Sequence, residues 1–492
     1  MDTVTATVPP GMLPRLRRHP GVRAAVPDRP VRLRHEVDGY DPSADPHALH
    51  ALVRVIGARQ FYDEGWTGAG VDVALIDSGV AAVAGLDQPG GLLHGPDLSF
   101  ESQSDALRHV DTFGHGTHMA GIIAGRDAGV TVPRAADHHA FHGVAPGARV
   151  VSLKVADRNG ATDVSQVIAA IDWVVQHRDR AGLRIRVLNL SFGTDAVQDY
   201  RIDPLAHAAE VAWRNGIVVV AAAGNAGTGS PALDNPALDP FLLAVGAQDT
   251  RGTQGLGDDV VPAFSSTGDG VRNPDLVAPG VSVASLRVPD SGIDRHHPGG
   301  RVGSRYFRGS GTSQAAAVVS GAVALLLQRH PGLTPDEVKQ HLRASAEPLP
   351  AADPRGQGSG ALDLEEALRR PPQLGARQPW EPSSGAGSLD GARGSLRLSH
   401  DDVVLDGEQD IFGAPFDAAA HARLAEAGTA WSDGDWNGGP WTGAGWLGDR
   451  WAATVWSRSS WSRSSWSSGG WTRSSWTRSS WSGDAWAGGG WG

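Results

Sequence analysis

The amino-acid sequence predicts a three-layer α/β fold with a mainly parallel central sheet. Short runs rich in Val, Ile and Leu recur along the chain without alternating polar residues, which is typical of strands buried on both faces. Segments with apolar residues at helical spacing lie between these runs. Because strands and helices alternate, the pattern favours βαβ units in which helices cover a parallel sheet.

The predicted elements follow one another from about residue 48 onward. A helix at 47–65 leads into a glycine turn, and two later helices have clear start signals. Asp163 precedes the helix at 164–177, and Thr334 with Pro335 opens the helix at 334–345. The remaining predicted helices cover 205–215 and 314–330. The predicted strands are 71–77, 149–155, 187–191, 217–223 and 241–247.

Composition divides the 492-residue chain into five segments. Residues 1–45 are rich in Pro and Arg, and residues 46–370 carry the alternating strand and helix pattern. Residues 371–400 are predicted to be a linker because Pro, Gly, Ser and Arg dominate them. Residues 401–430 are predicted to form a small strand-and-helix element, and residues 431–492 are a repeat.

The repeat has Trp at every fifth position from 431 to 491, with Ser, Gly, Thr, Arg and Asp as spacers. A period of five matches neither the two-residue period of a strand nor the 3.6-residue period of a helix. Disorder is therefore the favoured prediction for this tail. A square β-solenoid and a segment that becomes ordered on a partner are the alternatives.

Charge and cysteine content exclude several classes of protein. The net charge of -11 indicates no nucleic-acid partner, and the absence of Cys excludes disulfides, a thiol nucleophile and cysteine metal sites. The chain has no apolar window of about 18 residues, so no transmembrane segment is predicted. The first residues also lack the apolar stretch of a secretory signal.

Three separated motifs supply the parts of a nucleophilic hydrolase. Asp77 ends the apolar run VDVALID, His115 stands in GHGTHMAGIIAG, and Ser313 stands in GTSQAAA at the start of a helix. A serine hydroxyl becomes a nucleophile when a histidine removes its proton and a carboxylate holds that histidine. For each residue considered alone, the alternative is a structural role: Asp77 caps a turn, His115 is a structural histidine and Ser313 caps a helix. We interpret the nearby His118 as structural.

Asn225 is the fourth candidate, because it follows the predicted strand at 217–223 in the sequence GNAG. Its amide at this position can donate to the oxyanion that forms when Ser313 attacks a carbonyl, with the Ser313 backbone N–H as second donor. An Asn that serves a left-handed turn is the alternative.

Together, the motifs IDSGV, GHGTHMAGIIAG, LNLSFG, AAAGNAG, NPDLVAPG and GTSQAAA resemble the ordered blocks of the subtilisin-like serine peptidases. The resemblance spans roughly residues 55–346. It implies that Asp77, His115 and Ser313 form a catalytic triad and that Asn225 is the oxyanion donor. It also implies two walls of a substrate crevice: Leu190, Ser191, Phe192 and Gly193 on one side, and Ala222, Ala223 and Gly224 on the other.

The resemblance carries further expectations. It implies no catalytic cofactor or metal, although structural calcium is common in the family and no matching loop is identifiable here. Asp234 falls where the family forms the floor of the S1 pocket, which receives the substrate residue before the scissile bond. Asp234 is predicted either to favour a basic substrate residue in that pocket or to be a solvated residue of a turn. Gln314 stands where many members have Met.

The ends of the chain also resemble parts of these enzymes. Residues 1–45 are similar to the last part of an inhibitory prosegment, and the Trp repeat resembles C-terminal repeats of some bacterial members. The interleaved Trp and Arg residues predict that the tail binds a cell-wall or other surface polymer by stacking and charge. By resemblance the protein is secreted or at the cell surface, with a cytoplasmic location as the alternative.

These observations predict a serine endopeptidase that acts on proteins or peptides through an acyl-enzyme intermediate. Two other classes remain. In a non-catalytic surface-binding protein, the Trp repeat would carry the function. In an esterase, the same nucleophile would act on small esters, but the G-x-S-x-G motif of those enzymes is absent around Ser313.

Overall fold

A computed structural model describes residues 12, 19–20, 40–130, 140–196, 198–228, 232–400, 403–442 and 465–466. The chain divides into two compact units, residues 1–39 and residues 40–492. The elements below belong to the second unit. Most of the prosegment-like region at 1–45, and the predictions made for it, lie outside the described residues.

The centre of the second unit is a parallel sheet of seven strands in the order β2-β3-β1-β4-β5-β6-β7. Every neighbouring pair in it is parallel, so the predicted α/β class with a mainly parallel central sheet is confirmed. The strands are β1 (Asp72–Asp77), β2 (Leu92–Asp97), β3 (Arg149–Lys154), β4 (Ile185–Leu190), β5 (Val218–Ala222), β6 (Leu243–Gln248) and β7 (Leu276–Pro279).

The two strands that the sequence pattern missed lie at the edges of the sheet. Strand β2 is only partly buried and contains Gly95 and Pro96, so it lacks the continuous apolar run of a central strand. Strand β7 has four residues, too few to show a pattern. The five predicted strands lie in the middle of the sheet, where burial on both faces requires apolar residues.

Twelve α-helices surround the sheet in the described part of the chain. They are α1 (Leu49–Val55), α2 (Ala58–Asp63), α3 (His115–Ala124), α4 (Val164–His177), α5 (Pro204–Arg214), α6 (Gly292–His296), α7 (Thr312–Arg329), α8 (Pro335–Ser345), α9 (Pro354–Gln357), α10 (Leu364–Arg369), α11 (Leu389–Arg393) and α12 (Ala418–Glu426). The single helix predicted at 47–65 is instead α1 and α2, because Gly57 between them has a φ of 71°.

Helix caps agree with the sequence signals. Asp163 and Gln166 form a capping box at the start of α4, and Thr334 and Glu337 form another at the start of α8. Helix α7 is buried along nearly its whole length and packs against α3 and against β4, β5, β6 and β7. Small residues such as Ala315 and Gly321 allow this close packing.

A small antiparallel sheet leads into α7. Its strands are β8 (Val283–Leu286), β9 (Arg301–Val302), β10 (Tyr306–Ser310) and β16 (Ser465–Trp466). The backbone of β16, which comes from the Trp repeat, pairs with Gly309 and Ser310 of β10. Strand β10 ends two residues before α7 begins, so it fixes the entry of that helix.

Residues 371–400, expected to form a linker, pack closely on the α/β core. The Gly375 backbone N–H donates to Glu337, and the Ser383 backbone N–H donates to Glu210. Arg393 in α11 is fully buried, and its guanidinium donates to Asp163 at 2.7 Å. Two short strands, β11 (Ser399–His400) and β12 (Val403–Val404), precede α12, in line with the predicted small element.

The first two tryptophans of the repeat lie in a small sheet of strands β13 (Trp431–Ser432), β14 (Asp435–Trp436) and β15 (Gly439–Pro440), and Trp441 directly follows β15. Two-residue loops join the strands, and their residues all have positive φ, as in tight hairpins. Trp431 therefore lies directly opposite Trp436 in the first hairpin, whereas Trp436 pairs with Gly439 in the second. This order differs from the disorder that composition favoured; residues 443–464 and 467–492 lie outside the described part.

Buried contacts hold this small sheet on α4. The indole N–H of Trp431 donates to the Ala169 carbonyl at 2.8 Å, and that of Trp436 donates to Asp172 at 2.8 Å. Trp436 also makes edge contacts with the ring of Trp441, whose centroid lies 4.7 Å away. The three tryptophans are thus part of the hydrophobic core.

Candidate active site

Asp77 and His115 form a buried pair at the carboxyl end of the parallel sheet. Asp77 is the last residue of β1, and His115 is the first residue of α3. The Nδ1 atom of His115 lies 2.9 Å from both carboxylate oxygens of Asp77. Because an ionised carboxylate only accepts hydrogen bonds, Nδ1 carries the proton and Nε2 is the basic nitrogen.

A second carboxylate, Asp111, organises the turn that carries His115. One of its oxygens accepts the Gly114 backbone N–H at 2.6 Å and the Ser78 hydroxyl at 2.9 Å. The other oxygen accepts the Thr117 backbone N–H at 2.7 Å. Burial raises the pKa of Asp111, while the hydrogen bonds from Gly114 and Thr117 act in the opposite direction. The sequence motifs did not identify Asp111, because DTFGH is a short polar stretch without an individual signature.

Gly116 lets helix α3 approach the turn that follows Asp77. A Cβ atom on Gly116 would lie 2.1 Å from the Gly79 carbonyl oxygen and 3.1 Å from Oδ1 of Asp77. Any side chain at position 116 would therefore push α3 away from the carboxylate. This contact explains the second glycine of GHG, because the helix needs a residue without a side chain directly after His115.

Ser313 lies in the first turn of α7, which packs against α3. Its hydroxyl donates to the Ser191 carbonyl at 3.3 Å, and the Ser191 hydroxyl donates to the Ser313 carbonyl at 3.2 Å. This reciprocal contact joins the nucleophile candidate to the end of β4. The side chain is buried apart from a small exposed fraction, in the positive field of a helix N-terminus.

The side-chain amide of Asn225 has a fixed orientation. Its Oδ1 accepts the Thr312 backbone N–H at 2.8 Å and the Thr312 hydroxyl at 3.1 Å. Since the oxygen end is occupied by the residue next to Ser313, the NH₂ end is directed away from Thr312 as a donor. The structure thus brings Asn225 into contact with the residue that precedes Ser313.

The two predicted crevice walls have few side chains available for contact with another molecule. The side chains of Leu190, Phe192 and Ala223 are buried in the protein interior. Ser191 contacts Ser313, as described above. The remaining wall residues, Gly193, Ala222 and Gly224, offer little or no side chain. Contacts of these walls with another molecule would therefore be mostly main-chain contacts.

Asp234 lies between the two walls rather than in solvent. Asp234 is 8% exposed to solvent. A Cβ atom on Gly193 would lie 2.7 Å from the Asp234 Cβ, and one on Gly224 would lie 2.6 Å from the Asp234 carboxyl carbon. The solvated-turn alternative considered from sequence is therefore wrong for Asp234.

His118, one helical turn after His115, is fully buried, and its Nε2 lies 3.2 Å from the Phe307 carbonyl oxygen. Burial, together with the neighbouring His115, lowers the pKa of His118 to about 3. The ring is therefore neutral at ordinary pH, in keeping with the structural interpretation.

Two kinds of feature were not found in the described ranges: clusters of potential metal ligands and helices able to span a membrane. These residues contain no group of three or more His, Asp or Glu side chains arranged to hold a metal ion. No helix among them is both long and apolar enough to span a bilayer.

Comparison with known proteins was made on sequence and on structure. Residues 68–360 match the model of the subtilase family. Serine protease AprX of Bacillus subtilis is 37% identical over 309 residues, which cover 61% of this chain and 67% of that protein. Subtilisin Savinase of Lederbergia lenta is 32% identical over 314 residues, covering 64% of this chain and 96% of that protein.

Two further matches differ in their extent. Minor extracellular protease Epr of Bacillus subtilis is 30% identical over 288 residues, which are 58% of this chain but 37% of that protein. The crystal structure of a cold-adapted subtilisin-like serine proteinase aligns with 28% identity and a TM-score of 0.45, covering 61% of this chain and 90% of that chain.

Proposed function

The chain belongs to the subtilase family and is a serine endopeptidase, and we propose that Asp77, His115 and Ser313 are its catalytic triad. The observation that carries this proposal is the double contact of Asp77 with Nδ1 of His115 at 2.9 Å. That contact fixes the tautomer in which Nε2 acts as base, and α3, which carries this base, packs against α7, whose second residue is Ser313.

In the proposed reaction, His115 removes the Ser313 proton as Oγ attacks the peptide carbonyl. Asp77 orients the imidazole and stabilises its cation. The proton then passes from His115 to the leaving amine, and water releases the acyl group with His115 again as base. The Ser313 hydroxyl has one proton, which faces the Ser191 carbonyl at 3.3 Å in the structure. The reaction therefore requires the hydroxyl to turn toward His115.

We assign the oxyanion contacts to the Asn225 NH₂ group and the Ser313 backbone N–H. The anchored Oδ1 of Asn225 supports this assignment, because it leaves only donors for the developing negative charge. We assign substrate alignment to Leu190, Ser191, Phe192 and Gly193 on one wall and to Ala222, Ala223 and Gly224 on the other. Because few side chains of these walls are available for contact, their backbone groups suit hydrogen bonding to an extended peptide that adds along the edge of a strand.

Labelling by a fluorophosphonate tests the nucleophile. The whole chain should react once, and Ser313→Ala should abolish both the label and casein cleavage, the latter by roughly 10⁶-fold. Ser384→Ala is the matched control, because Ser384 is exposed and contacts Arg201 instead. If Ser313→Ala still takes the label or cleaves casein normally, another residue is the nucleophile.

The functions of the terminal segments are separate proposals. Residues 1–45 are proposed to be a prosegment-like region before a peptidase domain at 46–370. The Trp repeat is proposed to bind a surface polymer, with a secreted or cell-surface location, and the name of the relative Epr includes the word extracellular. Trp431, Trp436 and Trp441 are buried, so such binding would use the later tryptophans.

The polymer proposal has its own test. Trp→Ala changes at positions 446–491 should weaken sedimentation of the full chain with cell-wall material and leave casein cleavage intact. Equal sedimentation of both proteins would refute it.

A further inference from the structure

We propose that Ser320, in the middle of α7, is a positioning residue for Ser313 and acts through a chain of buried hydrogen bonds. The inference rests on the proposed function, because it requires Ser313 to be the nucleophile. It adds to that function a residue about two helical turns after Ser313 in the same helix.

The chain of hydrogen bonds leaves α7 at Ser320, passes through the end of β4 and returns to α7 at Ser313. The Ser320 hydroxyl donates to Oδ1 of Asn189 at 2.9 Å, and the Asn189 NH₂ group donates to the Ser191 hydroxyl oxygen at 2.9 Å. The Ser191 hydroxyl then donates to the Ser313 carbonyl at 3.2 Å. Asn189 and Ser191 each accept one hydrogen bond and donate the next, so the chain has a single direction.

Water has little access to these groups. Ser320 and Asn189 are fully buried, and Ser191 is 4% exposed. A buried polar group that loses its partner cannot replace it with water, so each hydrogen bond of the chain depends on its neighbours. Among the described residues, the Asn189 side chain has hydrogen bonds with Ser320 and Ser191 alone. These two serines therefore determine how the Asn189 amide is oriented.

The orientation of this amide decides where the Ser191 proton goes. A donating hydroxyl at Ser320 holds the amide oxygen on its own side, which directs the NH₂ group toward Ser191. If the amide turned over, its oxygen would face the Ser191 hydroxyl and accept the proton. A serine hydroxyl has one proton, so the Ser313 carbonyl would then lose its donor.

Two side chains hold the backbone before and after the Ser313 side chain. Asn225 accepts the Thr312 backbone N–H on one side, and Ser191 donates to the Ser313 carbonyl on the other. The Ser313 hydroxyl must turn from the Ser191 carbonyl toward His115 for the reaction. Its rate therefore depends on a fixed starting position of Oγ, which the second contact maintains.

Ser320→Ala in the full chain should lower kcat about tenfold, the size of one hydrogen bond, with little change in KM. Steady-state kinetics on one peptide measures both values, and fluorophosphonate labelling counts the active enzyme. Ser345→Ala is the matched control and should leave kcat normal. The Ser345 hydroxyl is also buried in a helix, and it donates to the His341 carbonyl at 2.9 Å.

A double variant distinguishes the hydrogen-bond chain from a general loss of stability. Ser191→Ala keeps the Ser191 carbonyl but removes the last donor, so it should lower kcat by a similar factor. Adding Ser320→Ala should then change kcat by less than about twofold, because both substitutions remove the same contact at Ser313. A normal kcat in Ser320→Ala, or an equal loss with and without Ser191→Ala, would overturn the proposal.

Labelling separates this result from a failure of the proposed function. The variants at Ser320 and Ser191 should still take the fluorophosphonate, whereas Ser313→Ala should take none. A label that survives Ser313→Ala would contradict the nucleophile, while a normal kcat in labelled Ser320→Ala would contradict only the positioning role. If Ser320→Ala yields no folded protein, Ser191→Ala decides, since a normal kcat there would overturn the proposal equally.

Discussion

Oδ1 of Asn225 accepts the backbone N–H of Thr312 at 2.8 Å, one residue before the proposed nucleophile. This contact separates two roles of one amide, because the oxygen organises the protein and the NH₂ group is left for the oxyanion. The separation allows a substitution that removes only the second role.

Asn225→Asp should lower kcat by roughly 10²–10³-fold, the loss known for removing one such donor in subtilisin, with a small change in KM. The carboxylate keeps the acceptor for Thr312 but has no N–H to offer. Steady-state kinetics on one peptide measures the effect. Asn273→Asp is the matched control, because Asn273 also accepts a backbone N–H, that of Gly270 at 3.0 Å. A near-normal kcat for Asn225→Asp would remove Asn225 from the oxyanion site.

Asp111→Asn should lower kcat about tenfold and leave KM nearly unchanged. An amide has one acceptor oxygen, so it cannot hold the Ser78 hydroxyl and the backbone N–H groups of Gly114 and Thr117 as the carboxylate does. The loss of one charge-assisted hydrogen bond accounts for this size. Asp105→Asn provides the control, since its side chain is 94% exposed. A raised KM with normal kcat would contradict a role in positioning His115.

Asp294, which lies in a helix bonded to the segment before His115, should make the stability of the folded protein sensitive to acid. Burial by itself would raise its pKa, but hydrogen bonds from Arg287, the Asp290 backbone N–H and Arg301 outweigh it and lower the pKa to about 2. Because the folded value lies below the unfolded value of 3.8, this stability is present above pH 3.8 and is lost as the pH falls toward 2. Helix α6, which contains Asp294, donates backbone hydrogen bonds to Thr112 and Phe113, just before the His115 turn.

We expect the free energy of unfolding to fall by up to about 2 kcal/mol through this group between pH 4 and pH 2. Asp294→Asn should flatten that part of the pH dependence, measured by urea unfolding at several pH values. The neighbouring Asp290→Asn, which changes an exposed carboxylate, should keep the wild-type slope. An unaltered slope in Asp294→Asn would show that other carboxylates produce the acid response.

Trp436→Ala should destabilise the folded protein by about 3–5 kcal/mol, because it leaves a cavity in the core. The residue is 1% exposed, and its indole N–H donates to Asp172. Thermal unfolding measures the loss, and Trp380→Ala, at a position that is 46% exposed, should cost far less. Equal melting temperatures for wild type and Trp436→Ala would mean that the repeat does not pack on α4.

Local signals in the sequence determined the centre of this protein. Continuous apolar runs predicted the inner strands of the sheet, because a strand covered on both faces has few polar positions. Asp163, as an N-cap residue, predicted the start of α4 for a similarly local reason. Motifs with glycine next to the candidate residue predicted Asp77, His115 and Ser313 as candidates for the active site, and Asp77 and His115 are in contact in the structure.

The tertiary structure alone decided contacts between residues that are far apart in the chain. Asp111 meets Ser78 across 33 positions, and Arg393 meets Asp163 across 230. Neither Asp111 nor Arg393 stands in a sequence motif of its own, because the partner of a buried charged group comes from a distant segment of the chain. Asp234 looked like a solvated turn residue until the fold placed it between Gly193 and Gly224. Likewise, only the fold showed that a two-residue loop pairs Trp431 with Trp436 across a hairpin.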